Sequence, residues 1–120
     1  MQIFEPQVST KEILEELGNV TVVDYFFKTL ELRPAELAIR AKTDEQDSGT
    51  DKFGNYTIDS DNFGNIWRNY TWEQYGDSAR RFANALTDLG VQSKERVMLL
   101  LRNCPAFHIC DIGTMMHGAT

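Results

Sequence analysis

The sequence predicts an α/β fold, and within it one organising unit: a core parallel strand over 96–101 flanked by helices over 71–89 and 104–117. Three observations carry this. Arg96-Val97-Met98-Leu99-Leu100-Leu101 is apolar at consecutive positions, so a strand there has two faces to cover, as strands of parallel sheets do. Trp72, Tyr75, Ala79, Phe82, Leu86 and Leu89 recur at spacings of three and four, the single stripe of an amphipathic helix. Phe107, Ile109, Cys110, Ile112, Met115 and Met116 leave the following helix little polar face. A doubly apolar strand followed at once by a buried helix is the first half of a parallel crossover, so a second parallel strand is expected just after Gly118. The expectation is a partial N-terminal subdomain over 1–120, cut at Thr120.

The remaining elements follow in order. Residues 1–8 show no periodicity and read as an extended arm. Ser9-Thr10-Lys11-Glu12 has the form of a capping box opening a short helix through Leu17, with Gly18-Asn19 as its stop. Thr21 caps a second helix whose apolar face is Val22, Val23, Phe26, Phe27 and Leu30; Asp24 suits its positive end, and Pro34 ends it near Leu32. Residues 36–42 alternate like a half-exposed strand. Composition then shifts: residues 43–66 hold six of the eighteen acidic residues and many turn formers, so they read as an exposed hairpin or loop. Phe53-Gly54-Asn55 and Phe63-Gly64-Asn65 mark two turns flanking a short strand over 56–58, and a further strand over 66–70 leads into the long helix. Thr71 and Gln74 make a second capping box there, and Gly90 is the expected left-handed stop. Asn103 is expected to cap the last helix, with Pro105 in its first turn.

Composition excludes several classes. A net charge of −6 and a pI near 4.8 argue against a nucleic-acid partner or a general anionic surface, since phosphate binding needs a cationic footprint. Arg80-Arg81 is the one adjacent basic pair and reads as a solvated helix face. No run approaches the ~18 apolar residues of a membrane span, and the N-terminus has neither a basic head nor an apolar signal core. The expected location is cytoplasmic. Cys104 and Cys110 lie about 9 Å apart along one helix at 1.5 Å per residue, too far for an undistorted disulfide.

Candidate chemistry is sparse. Asp59-Ser60-Asp61-Asn62-Phe63-Gly64-Asn65-Ile66 imitates the start of a calcium loop, but Phe63 takes a ligand position and Tyr70 stands where a bidentate Glu is needed, so an acidic turn is the better reading. Cys104, His108, Cys110, Asp111 and His117 lack paired ligand spacing; a core histidine bonded to Asp111 is expected rather than a zinc site or a Cys–His nucleophile. The Asn-x-Thr sequons at Asn19, Asn55 and Asn69 read as turns or caps. Phosphate-cradling, dinucleotide and nucleophile-elbow motifs are absent from the sequence. No catalytic, cofactor-binding or metal-binding residue is assigned.

A resemblance adds what the residues alone do not. Tyr70-Thr71-Trp72-Glu73-Gln74-Tyr75, Ala79, Ala83-Asn84-Ala85-Leu86, Leu89-Gly90-Val91, Arg96-Val97, Arg102-Asn103-Cys104-Pro105-Ala106-Phe107 and Gly118-Ala119-Thr120 resemble, in order and spacing, the opening of AMP-forming acyl-CoA synthetases of the adenylate-forming superfamily, and most closely the long-chain fatty acyl-CoA ligases. Lys94-Glu95 departs from the pattern, where the family usually has Gly-Asp. The resemblance implies an N-terminal piece of the large domain of a parent enzyme that uses ATP, Mg2+ and CoA to activate a fatty acid as its adenylate and pass it to CoA. It implies that the family's phosphate loop, adenine segment and catalytic Lys lie beyond Thr120, so that the piece is scaffold, binds none of these cofactors and is inactive alone. Its partners are then the rest of the same polypeptide, a second copy through N-terminal elements such as the Phe26-Phe27 face, and a peripheral membrane contact of the parent enzyme. The alternative reading is a small acidic protein-interaction domain that uses the Phe26/Phe27 helix. The two differ in what the isolated chain should do: expose apolar surface and bind hydrophobic dyes, or melt cooperatively as a soluble monomer.

Overall fold

The computed structural model describes residues 9–44 and 47–120; the arm expected over 1–8 lies outside them. Short-range polar signals decide where the first three helices start. Helix α1 (Thr10–Leu17) opens on a closed capping box, in which the Glu12 amide donates to Ser9 Oγ (3.2 Å) and the Ser9 amide to Glu12 Oε2 (2.8 Å). Helix α2 (Val22–Leu32) repeats the device with Thr21 and Asp24, at 3.2 and 2.9 Å. Five strands follow: β1 (Leu37–Thr43), β2 (Thr50–Asp51), β3 (Gly54–Asn55), β4 (Thr57–Ser60) and β5 (Ile66–Thr71). Thr71 and Gln74 close a third box at the head of helix α3 (Trp72–Asp88), and helix α4 (Pro105–His117) ends the fold.

Strands β1, β5 and β4 form an antiparallel sheet with β5 in the centre, while β2 and β3 make a separate two-stranded hairpin. The acid-rich excursion is thus a hairpin plus a sheet strand, and β4 does lie between the two Phe-Gly-Asn turns. The α2–β1 connection supplies acceptors for the first amides of α3: Trp72 N–H donates to Glu36 O and Glu73 N–H to Pro34 O, both at 3.0 Å.

The core lies between the sheet and α3, closed by α2 and α4. Phe26 meets the Tyr75 ring edge-on at 4.9 Å between centroids, and Tyr56 lies 5.1 Å from Tyr70, which is 1% exposed. Full burial of a side chain such as Phe26 or Ile109 is worth about 1.5–3 kcal/mol. Ala79 and Gly113 set the α3–α4 distance: a Cβ on Gly113 would stand 2.7 Å from the Ala79 carbonyl oxygen. The Tyr75 hydroxyl ties the same two helices by donating to His108 O at 3.2 Å, and burial first, then Asp111, pushes its pKa up to about 12.

Four expectations are corrected. The segment over 96–101 belongs to neither sheet; Met98 and Leu100 are 89% and 92% exposed while Val97 and Leu99 are half-buried. Its apolar composition is real, but a strand exists only where another strand takes its hydrogen bonds, and the sheets that do form here are antiparallel. Leu89 continues the α3 stripe in sequence yet is 79% exposed, because the helix ends at Asp88. There Gly90 (φ 82°) turns the chain, with Gly90 N–H bonded to Thr87 O and Val91 N–H to Leu86 O, each at 3.0 Å. Cys104, not Asn103, is the residue before the first turn of α4: preceding Pro105 it is held extended (φ −149°, ψ 167°), and it makes no side-chain cap. Phe26 is buried, which leaves Phe27 as the exposed member of that pair.

Lys94, which stands where the resembling family has Gly, takes φ 69°, in the left-handed region that costs a side-chain-bearing residue about 1–2 kcal/mol. Lys94→Gly is therefore expected to raise stability by up to about 1 kcal/mol in urea melts, the relieved strain being partly offset by the freer unfolded chain. Gly113→Ala should lose about 1–3 kcal/mol by overpacking against backbone. Gly76→Ala meets the flexible Leu30 side chain, nearest at its two methyls (2.7 and 2.9 Å), and should change stability by less than about 1 kcal/mol. Equal losses for the two alanine variants would refute the backbone contact as the cause.

Candidate functional site

A groove with a volume of about 610 Å3 runs along the β1 edge of the sheet. Register builds its floor. Lys42 and Asp59 stand opposite Trp67 from the two sides of β5, and Arg40 stands opposite Asn69. The Arg40 guanidinium sits 4.8 Å and the Lys42 ammonium 5.6 Å from the Trp67 ring centroid, both within cation–π range. Arg40 also meets Asp59 at 3.4 Å, an exposed pair of small energetic weight. The far wall is the start of α4, with Asn103, Cys104, Pro105 and His108. His108 bonds through Nε2 to Asn103 Oδ1 at 3.3 Å rather than to Asp111, because it is exposed and the Asn103 side chain is free of capping duty. The groove is cationic on an acidic chain and can attract an anion, but its Cys104 and His108 make no nucleophile–base pair.

Behind the sheet is a tighter polar cluster that sequence reading passed over. Asp47 carries a side chain only 2% exposed and takes hydrogen bonds from Thr43 Oγ1 (2.5 Å), the Tyr56 hydroxyl (2.5 Å), the Gly49 amide (3.1 Å) and Arg68 Nε. Burial alone would raise its pKa; those donors outweigh burial and hold the carboxyl far below its ordinary value of 3.8. Arg68 reaches Asp51 at 3.4 Å and lies 4.6 Å over the Tyr56 ring, whose hydroxyl is pushed well up by burial and by Asp47. The cluster clasps the acidic excursion onto β5. Its only signal in the sequence is acidic residues near a lone Arg, which any surface loop provides.

The calcium-like stretch is a turn organised by Asp61. Its Oδ1 accepts from the amides of Phe63 (2.8 Å) and Asn65 (3.0 Å), and its Oδ2 from Asn65 Nδ2 (3.0 Å) and Trp67 Nε1 (2.9 Å). The Trp67 indole, then the Asn65 amide, hold its carboxyl well below the ordinary range. Cys104 and Cys110 are free thiols. His117, at the opposite end of α4 from His108, bonds to Val91 O (2.6 Å) and Thr87 Oγ1 (3.2 Å). Among the described residues no group of three or more His, Cys, Asp or Glu side chains is placed to hold a metal ion.

Comparison with known proteins gives a specific match. The model of the family described as AMP-binding enzyme matches residues 50–120. Two 4-coumarate–CoA ligases of Solanum tuberosum, numbered 1 and 2, are each 40% identical over 52 residues, covering 43% of this chain and 10% of the relative. The chain thus corresponds to about a tenth of the length of the curated relatives it matches. No solved structure matches. Arg40, Lys42 and Asp47 precede the matched segment, whereas Arg68, Trp67, α3 and α4 lie within it.

The Asp47 cluster sets an acid dependence. Because the folded carboxyl is depressed, its stabilisation is complete above the unfolded value near 3.8 and fades as pH falls below it. Asp47→Asn should be less stable than the parent at neutral pH, and the gap should narrow on acidification through that value. Urea melts at a series of pH values check this; a gap that is constant with pH would show that the carboxylate charge is not what matters.

Proposed function

This chain belongs to the AMP-binding enzyme family, and from that premise we propose that it is a scaffold portion of an ATP-dependent, AMP-forming acid–CoA ligase. The family match from the β2–β3 hairpin through α4 carries the reading. In the proposed reaction a carboxylate oxygen attacks the α-phosphorus of ATP and pyrophosphate leaves; the CoA thiol then takes the acyl group and AMP leaves. The part proposed for this chain is to form and brace one layer of the enzyme: the groove beside β1 offers the exposed cations Arg40 and Lys42 but no glycine among its lining residues to cradle a phosphate chain.

A fatty acid is the proposed substrate, supported by the ordered resemblance over residues 70–120 to fatty acyl-CoA ligases. Identity of 40% to two ligases named for 4-coumarate favours that acid as the second reading. A cytoplasmic enzyme is proposed; no helix among the described residues is long and apolar enough to cross a membrane. A contact between copies would now use Phe27, whose ring lies 5.6 Å from the Arg80 guanidinium, rather than the buried Phe26.

ATP–pyrophosphate exchange tests the proposal. The 120-residue chain alone should give no exchange with palmitate or 4-coumarate, while the whole gene product should give exchange that depends on one of them. Exchange by the 120 residues alone would overturn the scaffold role. A whole gene product silent with both acids, and with a wider panel of carboxylic acids, would overturn the ligase reading.

A further inference from the structure

The order β1-β5-β4 leaves β1 with a strand on one side only, and among the described residues its backbone makes no hydrogen bond outside the ladder with β5. The backbone groups left over can be named. Asp61 N–H donates to Asn65 O at 3.0 Å, so Asn65 turns its backbone groups toward β4. Direction alternates along a strand, so Trp67 and Asn69 also face β4, while Ile66, Arg68 and Tyr70 face β1. Their opposite numbers Thr43, Ala41 and Ile39 hold the ladder. The amides and carbonyls of Arg40 and Lys42 therefore point away from the sheet, and both residues are exposed. The groove touches Ile39 and Ala41 from one pleat face and Arg40, Lys42 and Trp67 from the other, so it follows the open edge itself.

We propose that this edge docks an extended segment of another protein in which acidic and apolar residues alternate. In antiparallel pairing, the more stable form per residue, the partner residue opposite Arg40 exchanges both backbone bonds with it, and the one two positions away does so with Lys42. Directly opposed side chains share a face, so carboxylates at those two positions meet the guanidinium and the ammonium. The residue between them points the other way, toward Ile39, Ala41 and Pro105, and is apolar. Arg40 already meets Asp59 at 3.4 Å, and the five donors of a guanidinium suffice for a second carboxylate. Charge decides the occupant. Cations on an edge strand repel stray strands, and a second copy is among those rejected: its β1 would set Arg40 and Lys42 against their like. Its β4 offers Asp59 already paired with Arg40 of the same chain. A lone small anion would leave the outward backbone groups unused.

Amide hydrogen exchange by NMR on the 120-residue chain tests this, with blocked Val-Glu-Val-Glu-Val-Glu and Val-Lys-Val-Lys-Val-Lys hexapeptides as probes. The Glu peptide at saturation should slow exchange at Arg40 and Lys42 by about tenfold or more and leave Ile39, Ala41 and Thr43 unchanged. The Lys peptide should slow none of the five. In the double variant Arg40→Glu/Lys42→Glu the preference should reverse, with the Glu peptide bound about tenfold more weakly or worse and the Lys peptide now protecting positions 40 and 42. Protection of neither Arg40 nor Lys42 by the Glu peptide, equal protection by both peptides, or protection at Ile39 and Ala41 instead would overturn the proposal. So would protection without peptide that grows with protein concentration, since that identifies a second copy as the occupant.

Discussion

The close approach of α3 and α4 at Ala79 and Gly113 is the contact on which the rest of the molecule depends. Ala79 is fully buried, and the space where a Gly113 side chain would stand is taken by the Ala79 carbonyl and the Phe82 ring. With the helices this near, Tyr75 can reach His108 O from one side while Phe26 of α2 closes on the same ring from the other. Helix α3 touches α2, α4, β1, β3 and β5, so its position sets theirs. Residue size at two positions therefore decides the geometry of the whole core, and polar bonds then select one arrangement within it.

What was legible in the sequence was mostly local. Ser9/Glu12, Thr21/Asp24 and Thr71/Gln74 each combine a hydroxyl with an acceptor three residues on, and each forms in the structure as the spacing implies, since both partners lie within one helical turn. Strands β1, β4 and β5 fall within a residue or two of their alternating or turn-flanked stretches. Some of what failed was local too, set by neighbours that a periodic pattern does not weigh. Leu89 follows the stripe but outruns the helix; Asn103 loses its capping place because Pro105 constrains Cys104; His108 turns to Asn103 instead of Asp111. The apolar run over 96–101 reads as a strand from its own residues, yet the sheet it would need is not the one formed by β1, β5 and β4.

The polar half of the molecule was the least legible. Asp47 draws on Thr43, Gly49, Tyr56 and Arg68, and Arg68 is twenty-one residues away in the chain. Composition marks residues 43–66 as acidic and turn-rich, which correctly places them at the surface but hides that one carboxylate is nearly fully enclosed. Such a cluster disposes of a desolvated charge by surrounding it with donors. It also explains how an excursion with short strands and few apolar residues keeps a single position against the sheet. The family match begins at Thr50, so the anchor on β5 is inside the matched segment and the carboxylate it grips is outside.

The exposure of Met98 also has a chemical consequence. Met115 and Met116 are half-buried on α4, against the core, whereas the Met98 thioether stands open to solvent. Peroxide reaches an open thioether first and converts it to a polar, chiral sulfoxide. An oxidised Met98 would place a strongly hydrated oxygen on the open side of an apolar run. Among the described methionines oxidation therefore begins at Met98, and mass spectrometry of the stored chain would read the order in which Met98, Met115 and Met116 are lost as a map of what the fold covers.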